Sequence, residues 1–322
     1  MSRPALIGDI GGTNARFALV TPGEKTPQHI LNLPCADYPG VVEAAQDYLS
    51  QVGATGGNAP TEACLAFACP VHAEQVKMTN NHWQFLKSEV QQTLSLSLFK
   101  VINDFTAQAL GIPHVPDHDL VEVKPGVPQA HAARLVIGPG TGLGVAGVFP
   151  GLHAWIPLPT EGGHVTFAPT DIRERELLDE LYKHYPRVSV ERLLCGQGIV
   201  DLYTADCALE GIAPAFTTAA EVTQAAQQGD ELASRTLLRF LKILGDVCGD
   251  ATLTMGARGG VYLCGGIVPR LLDWLPKSEL HTAFINKGRM HTYNADIPIW
   301  VVTHPWTGLL GAAEALHNEE VF

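Results

Sequence analysis

The chain has 322 residues and a mass of 34.5 kDa, with 46% apolar and 17% charged residues. That composition supports a full core and excludes a disordered chain, and the length favours two domains over one. Twenty-one basic residues against 33 acidic ones give a net charge of −12, which repels a polyanion such as DNA, and no basic stripe offsets it. Glycine is abundant, at 32 residues, without a G-X-Y period. Seven scattered cysteines without a C-x-x-C read as small buried hydrophobes of a reducing compartment.

ALIGDI (5–10) reads as a buried strand, residues 11–14 as a turn and 15–20 as a second strand, with a third near 30–33. A helix over 41–52, a loop over 53–60, a strand over 63–71 and a helix over 85–94 follow. Residues 98–104 form a strand that runs into a helix over 106–112, and 113–133 read as a crossover. Residues 136–149 repeat the opening strand–turn–strand pattern about 130 residues later.

Residues 135–160 contain no Asp, Glu, Lys or Arg, enough to span a bilayer. Their four prolines and six glycines exclude a lipid-exposed helix, so no membrane is expected. The N-terminus carries neither a signal h-region nor a cleavage pattern. Helices are predicted near 171–185, 189–194 and 198–209, at 217–222 behind a Thr218/Glu221 capping box, and through 230–256. A strand over 259–266, a helix over 267–275, a strand over 297–302 and a helix over 308–318 complete an α/β pattern.

Six segments could carry chemistry. GDIGGTNAR (8–16) places amides and close backbone approach at a turn suited to phosphate, with Asp9 able to orient Mg²⁺ through water; it also suits an ordinary hairpin. GPGTGLG (138–144) runs into Gly142-Leu143-Gly144-Val145-Ala146-Gly147, which formally matches a dinucleotide fingerprint, but a β-like stretch stopped by Pro150 follows where a helix is needed. It is read as a second Gly-Thr-Gly hairpin, and the pair could hold a triphosphate from both sides. Gly265-Gly266 lies between a strand and a predicted helix start, an anion site or a tight turn. Asn103-Asp104 sits where a buried strand ends, the usual place for function in parallel α/β layers, and also suits a helix cap. Glu161 and His164 flank Gly162-Gly163 and could hold vicinal hydroxyls, and Glu191 falls in the first turn of a short helix. No P-loop and no H-E-x-x-H occur.

Together with M-T-N (78–80), these motifs in this order resemble the bacterial glucokinases of the hexokinase/actin/Hsp70 ATPase superfamily across essentially the whole chain. The resemblance implies a two-domain actin-like ATPase (ribonuclease H-like) α/β fold with an inter-domain cleft. One domain would comprise 1–111 and 304–322, the other 112–303. It implies phosphorylation of glucose at O6 by ATP with Mg²⁺, in the cytoplasm, by a homodimer. Asp104 would be the general base, and Asn80, Asn103, Asp104, Glu161, His164 and Glu191 would hold the sugar. Gly8, Asp9, Ile10, Gly11, Gly12, Thr13, Asn14, Gly140, Thr141, Gly142, Gly265 and Gly266 would hold ATP. Related zinc-bearing sugar kinases have a Cys-rich motif after the equivalent of His164; here only Cys195 and Cys207 follow, widely spaced, so no zinc is expected. Thr160 and Pro139 depart from the residues common in the family. A kinase for another hexose or an amino sugar, or a non-catalytic sugar sensor, are the alternatives; the sensor is disfavoured because the first strand opens the chain without a helix-turn-helix.

Overall fold

The computed structural model describes residues 3–321, which leaves residues 1, 2 and 322, the outermost residues of the expected first domain, outside the description. In chain order the strands are β1 (Ala5–Ile10), β2 (Asn14–Val20), β3 (Gln28–Pro34), β4 (Glu62–Phe67), β5 (Gln75–Lys77), β6 (Gln84–Leu86), β7 (Leu98–Asn103), β8 (Leu120–Lys124), β9 (Arg134–Pro139), β10 (Leu143–Pro150), β11 (Trp155–Pro159), β12 (Val261–Leu263) and β13 (Ile299–Val302). The α-helices are α1 (Val41–Gln51), α2 (Lys87–Thr93), α3 (Asp104–Gly111), α4 (Ile172–Tyr182), α5 (Val190–Leu193), α6 (Gly196–Leu209), α7 (Ala219–Gln227), α8 (Glu231–Met255), α9 (Leu280–Ile285), α10 (His291–Ala295) and α11 (Thr307–Leu316). None is long and apolar enough to cross a membrane.

The chain divides into two compact units. The first comprises residues 1–119, 148–159 and 304–322, and the second comprises 120–147 and 160–303. Residues 112–119 and the 148–159 segment therefore belong with the first unit.

The first sheet has the order β3-β2-β1-β4-β7. β1 pairs antiparallel with β2 and parallel with β4, which pairs parallel with β7. β1 is an apolar run because both its faces are covered, and its residues other than Asp9 are buried. Phe17, Tyr48, Phe67 and Trp83, fully buried, centre this unit's core. α11 crosses α3 so closely that a Cβ on Gly311 would run into the carbonyl of Ala107, and one on Gly111 into that of Thr307.

The second sheet has the order β11-β10-β9-β12-β13-β8. Its β10-β9-β12-β13 run repeats the β2-β1-β4-β7 run of the first, which gives the duplicated sequence pattern its physical form. The core beneath it is built largely on α8, whose buried Leu237, Phe240, Leu241 and Leu244 fall at helical spacing. Asp230 caps α8 by accepting from Ala233 N at 2.8 Å, and Gly256 ends it in the left-handed conformation.

Three local expectations need correction. Residues 267–275 are not a helix: Pro269 and Pro276 lack N–H donors, and two 3₁₀ turns form instead, Val268–Leu271 and Leu275–Lys277. The crossover contains β8, which pairs antiparallel with β13 at the sheet edge. Trp155–Pro159 needs none, being a strand within a stretch that reads as strands and turns; its two prolines are tolerated because it lies at the opposite edge, where a missing donor costs little. The helix predicted over 85–94 begins at Lys87, since Gln84–Leu86 pairs with Gln75–Lys77.

Candidate active site

In the first unit the motifs converge on the β1–β2 turn. Gly11 N donates to Asn14 O at 2.9 Å and closes it. Cys35 N donates to Thr13 O at 2.8 Å and Asn81 Nδ2 to Gly11 O at 3.4 Å, so the turn is held from outside. Asn80 lies against Gly12 so tightly that a Cβ there would come within 2.8 Å of the Asn80 Cβ. Asn14 Oδ1 accepts from Asn32 Nδ2 at 3.3 Å. Among the described residues, the backbone N–H groups of Gly12 and Thr13 have no protein acceptor, as an anion-binding turn requires.

Asp9 stands directly opposite Arg16 in the hairpin, with Arg16 Nη1 3.3 Å from Asp9 Oδ2. Burial raises the Asp9 carboxyl above the ordinary range, and Arg16 opposes that rise. The pairing was readable from the sequence, because nine and sixteen are equidistant from the turn, yet sequence reasoning assigned Arg16 no role. Gly308, also unassigned, lies in the first turn of α11, and a Cβ there would stand 2.9 Å from Asp9 Oδ2.

The parallel strands β1, β4 and β7 end level with one another, Ile10 beside Phe67 and Phe67 beside Asn103. Asn103 is the cap of α3: its Oδ1 accepts from Phe105 N at 2.9 Å and Thr106 N at 3.4 Å, and its Nδ2 donates to Cys69 O at 3.3 Å. Asp104 is the first helical residue rather than the cap, and its Oδ1 accepts from Phe105 N at 2.9 Å. Burial, then the neighbouring charge of Asp9, push the Asp104 carboxyl up to about 7, near the working range of a general base.

In the second unit the motifs converge on the equivalent turn between β9 and β10. Gly140 N donates to Gly142 O at 2.8 Å, and the N–H groups of Thr141 and Gly142 have no protein acceptor among the described residues. Gly265 adopts φ +81, and a Cβ there would lie 2.5 Å from Pro139 O, so the Gly265-Gly266 turn packs on the first. The segment beyond it is a four-residue 3₁₀ turn, so an α-helix N-terminus does not contribute there. On the other side, Thr160 Oγ1 donates to Val145 O at 2.7 Å and ties the Glu161 loop to β10. Glu161 and His164 are largely exposed, with His164 Nε2 4.0 Å from Glu161 Oε2 and His164 Nδ1 3.8 Å from Glu191 Oε1. Three side chains able to donate to or accept from hydroxyls therefore stand beside one amide-lined turn.

Cys195 and Cys207 are buried free thiols, and Cys195 Sγ caps α6 by accepting from Gly198 N at 3.3 Å. No cluster of three His, Cys, Asp or Glu side chains able to hold a metal occurs among the described residues.

Each unit thus carries one amide-lined glycine turn on the same strand layout, one near the Asp104 carboxyl and the other near the Glu161, His164 and Glu191 side chains. That is the build of a sugar kinase of the actin-like ATPase fold. The fold resembles the crystal structure of a ROK hexokinase from Thermus thermophilus with a TM-score of 0.69 at 20% identity, covering 96% of this chain and 97% of that one. It resembles the crystal structure of glucokinase from an Antarctic psychrotroph with a TM-score of 0.90 at 38% identity, covering 98% and 99%. The family model described as glucokinase matches residues 6–319. The glucokinase of Chromohalobacter salexigens is 64% identical over 321 residues, all of both chains, and that of Hahella chejuensis 52% over 318 residues, 98% of both. The chain belongs to the glucokinase family.

Proposed function

We propose that the protein transfers the γ-phosphoryl group of ATP to O6 of glucose, giving glucose 6-phosphate and ADP. The observation that carries this reading is the Asp104 carboxyl, held at the end of β7 with its proton affinity raised to about 7. As O6 attacks the γ-phosphorus, Asp104 takes the hydroxyl proton, the bond between the γ-phosphorus and the bridging oxygen breaks, and ADP leaves.

Asn80, Asn103, Glu161, His164 and Glu191 hold the sugar. Glucose is neutral and polyhydroxylated, so charged acceptors and amides are what recognise it, each charged hydrogen bond contributing about 1.5–3 kcal/mol. The turns 8–14 and 140–142 hold phosphates through their bare amides, and Gly265-Gly266 leaves backbone open to the nucleotide. Mg²⁺ would neutralise charge on the phosphates. The partly buried Asp9 carboxylate, with Arg16 Nη1 3.3 Å away, suits an outer contact to that ion through water, and no zinc is invoked. Seven buried free thiols and the acidic balance are consistent with a cytoplasmic enzyme, and a homodimer is what the resemblance to bacterial glucokinases implies.

The test is a coupled ADP-release assay with ATP, Mg²⁺ and a panel of hexoses and amino sugars. Release should depend on sugar and be fastest with glucose. Preference for an amino sugar would move the substrate assignment, and no release with any sugar would leave a sensor.

A further inference from the structure

One carboxylate in the second unit touches two motifs. Glu191 Oε2 accepts from the backbone N–H of Leu143 at 2.9 Å, while its Oε1 faces His164 Nδ1 at 3.8 Å. Leu143 opens β10 immediately after the Gly140–Gly142 turn. The approach depends on Gly142: a Cβ there would lie 2.6 Å from Glu191 Oε2. A second bond, from Gly196 N to Gly140 O at 2.9 Å, ties the other arm of the turn to the start of α6. The 189–198 segment that makes both contacts is itself firmly held. Ser189 caps α5, Val190 N donates to Val165 O at 2.9 Å, and Cys195 caps α6.

We propose that Glu191 is a positioning residue for the phosphate turn, in addition to holding sugar, and that it thereby couples the two ligands. With Oε2 engaged by Leu143, the turn keeps the conformation that leaves the Thr141 and Gly142 amides unbonded. A sugar hydroxyl donating to Oε1 fixes the same carboxylate, so glucose orders the turn and raises nucleotide affinity, and nucleotide raises glucose affinity by the same factor. The inference rests on the site assignments proposed above.

The two roles separate by substitution. Glu191→Gln keeps a carbonyl acceptor for Leu143 N–H but loses the charge, whereas Glu191→Ala loses both. Binding is measured by calorimetry with the Mg²⁺ complex of β,γ-imido-ATP without glucose, and separately with glucose. Glu191→Ala should weaken the nucleotide analogue by about tenfold, the size of one hydrogen bond to a charged group, and should weaken glucose as well. Glu191→Gln should weaken glucose by about tenfold while binding the analogue no more weakly than the wild type. Glu161→Gln, which has no bond to the turn, should weaken glucose alone. Amide hydrogen exchange in a peptide spanning 138–146 should accelerate in Glu191→Ala and not in Glu191→Gln. If Glu191→Ala weakens glucose but binds the analogue like the wild type, the positioning role is wrong and the site assignment stands. If it changes neither affinity, both fall.

Discussion

Gly308 and Asp9, three hundred residues apart in sequence, are in contact: the first turn of α11 lies directly against the Asp9 carboxylate, where a Cβ would meet both Cγ and Oδ2 at 2.9 Å. Gly308→Ala should leave the helix as stable or more so, since alanine is the better helix former. The methyl group must displace Asp9, and misplacement at a reacting centre costs up to about a hundredfold. We expect kcat to fall about 10- to 100-fold with the circular dichroism and melting temperature preserved; unchanged kcat would mean that Asp9 does not need its observed place.

The raised Asp104 carboxyl links activity to stability with opposite signs. A base must be ionised, so kcat/KM for glucose should rise with pH through about 7. The folded state binds the proton more tightly than the unfolded chain, so its contribution to stability is complete below about pH 4 and is lost as pH climbs through about 7. Asp104→Asn should therefore stabilise the protein at pH 8 by about 1–3 kcal/mol, the partial solvent contact of the side chain keeping it below the full shift. Denaturant unfolding at pH 4 should show little of that gain.

Asn103 serves α3 before it serves any sugar. Asn103→Ala removes the cap and should cost about 0.5–2 kcal/mol in unfolding, together with a raised KM for glucose. Asn103→Asp keeps the capping oxygen and should recover most of the stability without recovering glucose affinity.

In α4, Glu174 is 1% exposed and pairs with Arg239 at 3.1 Å and Lys242 at 2.6 Å, while its other oxygen accepts from Thr170 N at 2.8 Å. Glu174→Ala removes a buried acceptor shared by Arg239 and Lys242, which keep Asp171 and Asp246 as partners, and should destabilise the second unit by about 1–3 kcal/mol in urea unfolding. A loss below about 1 kcal/mol would place this network with ordinary surface pairs.

Both glycine turns, Asp9 and Asn103-Asp104 were legible because each lies where an apolar strand stops, a signal carried by a few adjacent residues. The Thr218/Glu221 capping box was equally local, and both of its reciprocal bonds form. What escaped was set by distance or by sheet position. Nothing near Gly308 announces Asp9, and Leu143 gives no sign that Glu191 reaches its amide. That β11 is an edge strand, where Pro157 and Pro159 cost little, shows only in the sheet order. The 267–275 stretch has helical spacing of apolar residues, and only the two proline rings stop it. Arg16 was readable by counting across the hairpin.

The most direct test of the account is the turnover of Asp104→Asn, measured as glucose-dependent ADP release at saturating ATP, Mg²⁺ and glucose, with glucose binding checked by calorimetry. A lost general base should lower kcat by about 10²- to 10⁴-fold while the fold persists. A variant that turns over within a few-fold of the wild type would contradict the assignment of Asp104 as the base.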